Sequence, residues 1–172
     1  MEIKTNMNNL VLRSYLLSDA EDYSKLASNK NIWNLMRDEF PYPFNKDKAT
    51  KTIEKIIDTK IIAFVIEYKN NFVGDIHITQ QIDILRHSCM LGYWLGEPYW
   101  NLGIMSNAVN TMVNYCFETL SYKRIFAKVF ANNYGSIKVL EKSGFVKEGH
   151  FKNAVIKENK YIDQIQYSIF ND

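Results

Sequence analysis

Residues 92–108 read GYWLGEPYWNLGIMSNA and connect the end of a strand pattern to the start of the longest helical pattern in the chain. The first N–H groups of a helix lack partners within the helix and lie at the positive end of its dipole. A tight turn at Gly103 would aim several of them at one point and form an anion site suited to a pyrophosphate. The loop has no Lys or Arg, so backbone amides would supply most of the recognition, with Asn101 and Ser106 as candidate side-chain donors.

The patterns around this loop predict the fold class. Segments with strand-like patterns are 10–17, 61–68, 72–81, 86–95, 124–131, 145–156 and 161–170. Segments with helical spacing are 18–27, 31–36, 46–58, 104–120 and 136–143. Ser18 is the expected N-cap of the first helix and Gly144 the expected C′ residue of the last. This order predicts an α+β fold with a mixed sheet and helices packed on it, because strict βαβ alternation is missing.

The composition is that of one domain spanning residues 1–172. With 47% hydrophobic residues the chain can bury a sizeable core, and its net charge of +2 argues against a nucleic-acid partner. No apolar run is long enough to cross a bilayer, and the first ten residues do not resemble a signal peptide. We therefore expect a cytoplasmic protein without membrane contacts. Cys89 and Cys116 lie in apolar runs and are expected to be buried free thiols.

Three groups of residues carry a family resemblance. The first is GYWL at 92–95 with YWNLGIMSNA at 99–108, and the second is NYGS at 133–136 with VLEKSGF at 139–145 and EG at 148–149. The third is the upstream RDEFPYP at 37–43. Together they resemble the GCN5-related N-acetyltransferases (GNAT), and within them the RimJ/RimL-like branch that acetylates ribosomal-protein N-termini.

The resemblance implies a GNAT fold, with a mostly antiparallel sheet that splays between its fourth and fifth strands, here 86–95 and 124–131. The pantetheine arm of acetyl-CoA, the implied co-substrate, would lie in that split. A bulge near Trp94 and Leu95 would present backbone groups to the pantetheine and polarise the thioester carbonyl. Asn133 would hydrogen-bond the cofactor arm. The pyrophosphate would bind the loop formed by Asn101, Leu102, Gly103, Ile104, Met105 and Ser106.

The resemblance also implies a proton donor for the departing thiolate. Many relatives use a Tyr on the last helix, but the matching residue here is Leu140, which cannot donate a proton. Ser136 would lie near the sulfur and is the first candidate, with Tyr134 as a second choice.

The base that deprotonates the incoming amine is not assigned by the resemblance. The branch often has a carboxylate at the position of Met90, and only a neutral amine attacks the thioester. His77 is a candidate because it shares a strand face with Asp75 and Thr79, and histidine titrates near neutral pH. The alternative is a half-buried strand histidine with no catalytic role.

Asp38, Phe40 and Tyr42 lie where this branch builds its acceptor pocket. Asp38 and Glu39 would attract a cationic amine there, unless the segment is only a solvated loop. The acceptor is then a protein N-terminal amine or a small amine such as a polyamine or an aminoglycoside. A CoA-binding module without catalysis stays open as well, and so does the choice between monomer and homodimer. No cluster of His, Cys and Asp has metal-ligand spacing, so no metal is expected.

Overall fold

The computed structural model describes residues 1–59 and 61–171. The strands are β1 (Glu2–Lys4), β2 (Leu10–Arg13), β3 (Ala63–Tyr68), β4 (Asn71–Gln80), β5 (Ser88–Leu95), β6 (Arg124–Phe130), β7 (Val146–Lys157) and β8 (Lys160–Phe170). The α-helices are α1 (Ala20–Ala27), α2 (Lys30–Trp33), α3 (Lys46–Thr59), α4 (Ile104–Asn114) and α5 (Tyr134–Lys142). A π-turn, Tyr115–Thr119, continues α4 and replaces the last turns of the helix that the spacing predicted.

These strands form one sheet in the order β1-β2-β3-β4-β5-β6-β8-β7. Neighbouring strands are antiparallel except β5 and β6, which pair in parallel only from Ser88–Arg124 to Met90–Phe126. Beyond Met90 the two strands separate. The mixed sheet and its split are therefore confirmed, and the split lies between the two predicted segments. These segments are the fifth and sixth strands because β1, whose three residues are mostly polar, precedes them.

Helices cover both faces of the sheet. On one face α4 and α5 pack over a core that includes Leu91, Leu95 and Leu140. On the other face α1, α2 and α3 pack over an aromatic core that includes Tyr23, Phe40 and Trp94. Because side chains alternate along a strand, neighbouring residues of β5 point into different cores. This alternation decides which side chains can meet on each side of the split.

Two local predictions are wrong. The expected bulge at Trp94 and Leu95 is absent among the described pairs, since β4 and β5 keep one register from Gly74–Leu95 to Gln80–Cys89. Gly74 permits this close regular pairing, because a Cβ there would lie 2.3 Å from the Trp94 carbonyl oxygen. A shift in register occurs one strand away, between β3 and β4.

The first helix begins differently from the prediction. Its N-cap is Asp19 rather than Ser18. The Asp19 carboxylate accepts the Leu16 N–H at 2.8 Å and pairs with Arg13 at 2.8 Å. The ion pair with Arg13 of β2 thus fixes Asp19, the residue before the first helix. Strand β2 ends at Arg13, four residues earlier than the predicted end at residue 17.

Other expectations are confirmed. Cys89 and Cys116 are buried free cysteines. Gly144 follows α5 with φ of +83°, as a C′ residue requires. In the described part of the chain, no helix combines the length and the apolar character needed to cross a membrane.

Candidate active site

A cavity of about 810 Å³ lies at the split in the sheet. His77 and Phe40 line it from the α1–α3 face, whereas Tyr93 and Ser136 line it from the α4–α5 face. The cavity therefore connects the two faces between β5 and β6. A ligand that enters from one face can meet a second ligand from the other.

The loop before α4 is built to present backbone N–H groups. Asn101 and Gly103 both have left-handed backbones, with φ of 62° and 77°. Within the described residues, none of the N–H groups of residues 101–106 donates to a protein acceptor. Free N–H groups at the start of a helix of this length are what a pyrophosphate needs. Asn at 101, where the family usually has Gly, fits because Asn tolerates this conformation better than other side chains.

The individual residues of this loop contribute in different ways. Asn101, Gly103 and Ser106 line the cavity. The side chains of Ile104 and Met105 are buried in the core, so these residues can offer only backbone groups to a ligand. Leu102 is exposed and does not line the cavity, which argues against a contact through its side chain.

Lysines outside the loop add positive charge to the cavity. Lys138 and Lys142 are one turn apart on α5, and Lys128 lies on β6; all three line the cavity. Sequence reasoning missed them, because it looked for cations within the loop itself. The i, i+4 spacing of the two helical lysines was the available signal.

We expect Gly103→Ala to weaken acetyl-CoA binding. Alanine in a left-handed backbone costs about 1–2 kcal/mol, so the loop would shift and the Kd for CoA would rise about five- to thirtyfold. Calorimetric titration with CoA measures this. Gly144→Ala is the matched control, since its φ of +83° imposes similar strain outside the cavity. An equal loss of CoA affinity in both variants would contradict the assignment.

Ser136 stands at the first turn of α5. The Asn133 side-chain oxygen caps this helix by accepting the Ser136 N–H at 3.1 Å. Asn133 lines the cavity, and since its oxygen already accepts the cap bond, its amide nitrogen is the freer group for a cofactor arm. The Ser136 hydroxyl lies 2.7 Å from the Tyr93 hydroxyl. Tyr134, the second candidate, is 71% exposed.

Tyr93 is a functional candidate that sequence reasoning missed as a proton donor. It lies on β5, and its side chain points to the α4–α5 face because it alternates with Trp94. Burial raises the pKa of Tyr93 above its usual value near 10. The phenol therefore stays protonated at physiological pH. The phenol of Tyr93 thus approaches α5 from β5. Many relatives carry a tyrosine on that helix, at the position that Leu140 occupies here.

His77 lies on the opposite face, beside the split. Its Nδ1 is 3.1 Å from Oδ1 of Asp75, and the Trp94 indole N–H donates to Oδ2 of Asp75 at 2.6 Å. His77 pairs across the strands with Gly92, where an added Cβ would lie 2.4 Å from Nε2 of the imidazole. The ring thus lies over the backbone of Gly92, two residues beyond the last β5–β6 pair.

The backbone near Trp94 and Leu95 borders the split without a bulge. The Trp94 ring is buried on the α1–α3 face, so only its backbone can reach a cofactor. The Leu95 carbonyl accepts the Trp100 indole N–H at 2.8 Å. That carbonyl is already paired, which leaves the other backbone groups of this strand end for a pantetheine.

Two of the three residues predicted to bind the acceptor lie outside the cavity lining. The Asp38 carboxylate, 72% exposed, pairs with Nζ of the buried Lys157 at 2.7 Å and does not line the cavity. Its carboxylate is paired with an ammonium, which weakens its attraction for a cationic amine. Tyr42 also lies outside the cavity lining, beside Trp33 with ring centroids 5.8 Å apart. Phe40 does line the cavity, and its contact with the acceptor stays a prediction.

Met90 occupies the position where relatives often have a carboxylate. It lines the cavity, and Nη2 of Arg37 lies 3.8 Å from its sulfur. Glu39 also lines the cavity and pairs with Arg37 at 3.6 Å. In the described residues, no group of three or more His, Cys, Asp or Glu side chains is placed to bind a metal ion.

Two buried tyrosines, Tyr15 and Tyr23, and the half-buried Tyr93 make stability sensitive to alkaline pH. Burial raises the pKa of Tyr15, Tyr23 and Tyr93 above the unfolded value near 10. Above pH ~10 the unfolded chain therefore loses protons that the folded chain keeps, and each tyrosine lowers the free energy of unfolding by about 1.4 kcal/mol per pH unit. Urea unfolding at pH 9, 10 and 11 should show this decline. Tyr23→Phe should reduce the slope, unlike Tyr161→Phe at an exposed site; equal slopes would contradict it.

Comparison with known proteins places this geometry in a family. Residues 9–146 match the model of the acetyltransferase (GNAT) domain. The uncharacterized N-acetyltransferase YnaD of Bacillus subtilis is 30% identical over 163 residues, which cover 95% of this chain and 94% of that protein. The [ribosomal protein uS5]-alanine N-acetyltransferase of Escherichia coli is 30% identical over 79 residues, 46% of this chain and 41% of that enzyme.

A solved structure agrees over nearly the whole chain. The microcin C7 self-immunity acetyltransferase MccE, in complex with acetyl-CoA and AMP, has a TM-score of 0.82 at 26% identity. The match covers 96% of this chain and 94% of MccE. Since the domain model spans most of the sequence and the fold agrees throughout, the chain belongs to the GNAT family of N-acetyltransferases.

Proposed function

We propose that this enzyme transfers the acetyl group of acetyl-CoA directly to the α-amine of a protein N-terminus. The charge of the cavity is the observation that carries the choice of acceptor. Among the described residues that line it, Glu39 is the only carboxylate, and Arg37 pairs with it. Polyamines and aminoglycosides carry several positive charges and need several carboxylates. A peptide N-terminus brings one ammonium on an uncharged backbone, which this cavity accommodates better.

The lining of the acceptor side supports a peptide. Ile32, Leu35, Met36, Phe40 and Pro41 make it largely apolar. Apolar lining with a few polar groups is typical of sites that bind side chains. Similarity to the Escherichia coli uS5 enzyme over part of the chain agrees with this acceptor.

The two proton transfers of the reaction take place on opposite faces of the sheet. Acetyl-CoA supplies an activated acetyl thioester, while the N–H groups of loop 101–106 and the cavity lysines hold its pyrophosphate. On the α1–α3 face, Nε2 of His77 takes a proton from the acceptor ammonium and leaves the neutral amine to attack. On the α4–α5 face, the Tyr93–Ser136 pair donates a proton toward the departing thiolate.

A thiol-release assay with matched acceptors tests the proposal. Peptides that begin with Ser or Ala should release CoA thiol, and the same peptides with a blocked N-terminus should not. Spermidine and an aminoglycoside should be poorer acceptors by kcat/KM. A preference for spermidine or the aminoglycoside would contradict the N-terminal acceptor. CoA binding without turnover of any acceptor would instead support a module without catalysis.

Lys157 should affect acceptor binding without touching the chemistry. Its ammonium lies 3.6 Å from the Trp33 ring centroid and pairs with Asp38, so it ties the β7–β8 hairpin to the acceptor segment. Lys157→Met should loosen this segment and raise the acceptor KM about tenfold, for a loss of about 1–2 kcal/mol, while the KM for acetyl-CoA stays the same. Lys160→Met, on the exposed part of the same hairpin, is the control. Equal effects of both changes on the acceptor KM would contradict this role.

A further inference from the structure

We infer that Asp75 is a positioning residue, which fixes the imidazole of His77 with Nδ1 toward its carboxylate and Nε2 toward the split. The inference rests on the proposed role of His77 in acetyl transfer. Asp75 does not line the cavity, so it acts only through the imidazole.

The first support is the setting of the carboxylate. Asp75 is 4% exposed, and in the described chain its only ion-pair partner is His77. A buried carboxylate loses hydration and needs hydrogen bonds in exchange. It accepts one from the Trp94 indole at 2.6 Å on Oδ2 and faces Nδ1 of His77 at 3.1 Å with Oδ1. The Trp94 bond holds the carboxylate in place, which leaves Oδ1 aimed at the imidazole.

The second support is independent and comes from Gly92. A Cβ at this position would lie 2.4 Å from Nε2 and 2.9 Å from Cε1 of His77. Glycine thus leaves the space that the ring occupies over the edge of the split. Asp75 contacts the ring on one side, and the missing side chain of Gly92 leaves space for it on the other.

The tautomer follows from the donor and acceptor chemistry. An ionised carboxylate only accepts hydrogen bonds, so Nδ1 must carry the proton and Nε2 keeps its lone pair. When Nε2 takes the proton from the acceptor ammonium, the nitrogen–hydrogen bond of the ammonium breaks and a new one forms at Nε2. Asp75 then stabilises the resulting imidazolium, the role that a buried carboxylate has beside a catalytic histidine in serine proteases.

Nitrogen NMR of the resting enzyme tests the tautomer without any turnover. In the wild type, ¹⁵N shifts and couplings of His77 should show a protonated Nδ1 and an unprotonated Nε2 above the titration of the ring. Asp75→Asn should shift the population toward a protonated Nε2, because the amide can donate to Nδ1. A wild-type His77 with its proton on Nε2 would overturn the inference, even if the variant does not fold.

Kinetics separate positioning from simple stabilisation. Asp75→Asn should lower kcat by about 10²-fold or more, with the KM for acetyl-CoA unchanged. In a His77→Gln background the same change should cost almost nothing further, since both residues act as a unit. Asp163→Asn is the matched control, because Asp163 pairs with His150 at 2.7 Å outside the cavity. An equal loss from Asp75→Asn in both backgrounds would mean a structural role only. If His77→Gln alone keeps full activity, the proposed base is wrong, and the NMR result still decides the geometry.

Discussion

Replacing His77 with glutamine is expected to lower kcat by about 10²- to 10⁴-fold, the usual contribution of a general base. Glutamine keeps a polar side chain of similar reach but cannot accept a proton at neutral pH. The KM for acetyl-CoA should stay the same, because the pyrophosphate loop and the cavity lysines are untouched. Steady-state thiol release with a Ser- or Ala-initiated peptide measures both parameters.

The chain offers a closely matched control for this change. His150 is 40% exposed, as His77 is, and it also pairs with an aspartate, Asp163. It lies on β7 and does not line the cavity. His150→Gln should therefore leave kcat unchanged. Equal losses in the two variants would show that the effect of His77→Gln is not catalytic, and no loss in either would remove His77 from the mechanism.

Local patterns predicted much of the scaffold of this site. The period-two alternation placed His77 on one face with Asp75, and the structure adds that their side chains are 3.1 Å apart. The loop before α4 could be recognised because it connects a strand pattern to the longest helical pattern and because its residues resemble a family motif. These features depend on residues close together in the sequence, because the period of a strand or helix determines which face each of them occupies.

Contacts between distant segments could not be predicted in this way. Asp38 and Lys157 are 119 residues apart, and nothing in the loop 37–43 indicates that a buried lysine neutralises the carboxylate. The contact of His77 with Gly92 depends on the register of β4 against β5, which a single sequence does not determine. The Ser18 prediction failed for a related reason, since Arg13 on β2 holds Asp19 at the helix start.

The Tyr93–Ser136 pair shows that one strand, β5, can place residues of the candidate site on both faces of the sheet. Along β5, Gly92 and Trp94 face His77 and Asp75, while Tyr93 faces α5. The predicted donor Ser136 was only half of the arrangement, because its hydroxyl lies 2.7 Å from that of Tyr93. Either hydroxyl can donate to the other, so a proton can pass along the pair toward a thiolate in the split.

Tyr93→Phe and Ser136→Ala should each lower kcat by about 10²-fold if the two hydroxyls act as one donor. The double variant should lose little more than either single variant, because residues that act as a unit are not additive. Losses that multiply would mean that the two hydroxyls act separately. Ser143→Ala, at the C-cap of the same helix, removes a buried hydroxyl outside the cavity lining and should leave kcat unchanged. If both single variants keep wild-type kcat with acetyl-CoA, the thiolate receives its proton from another source, such as solvent.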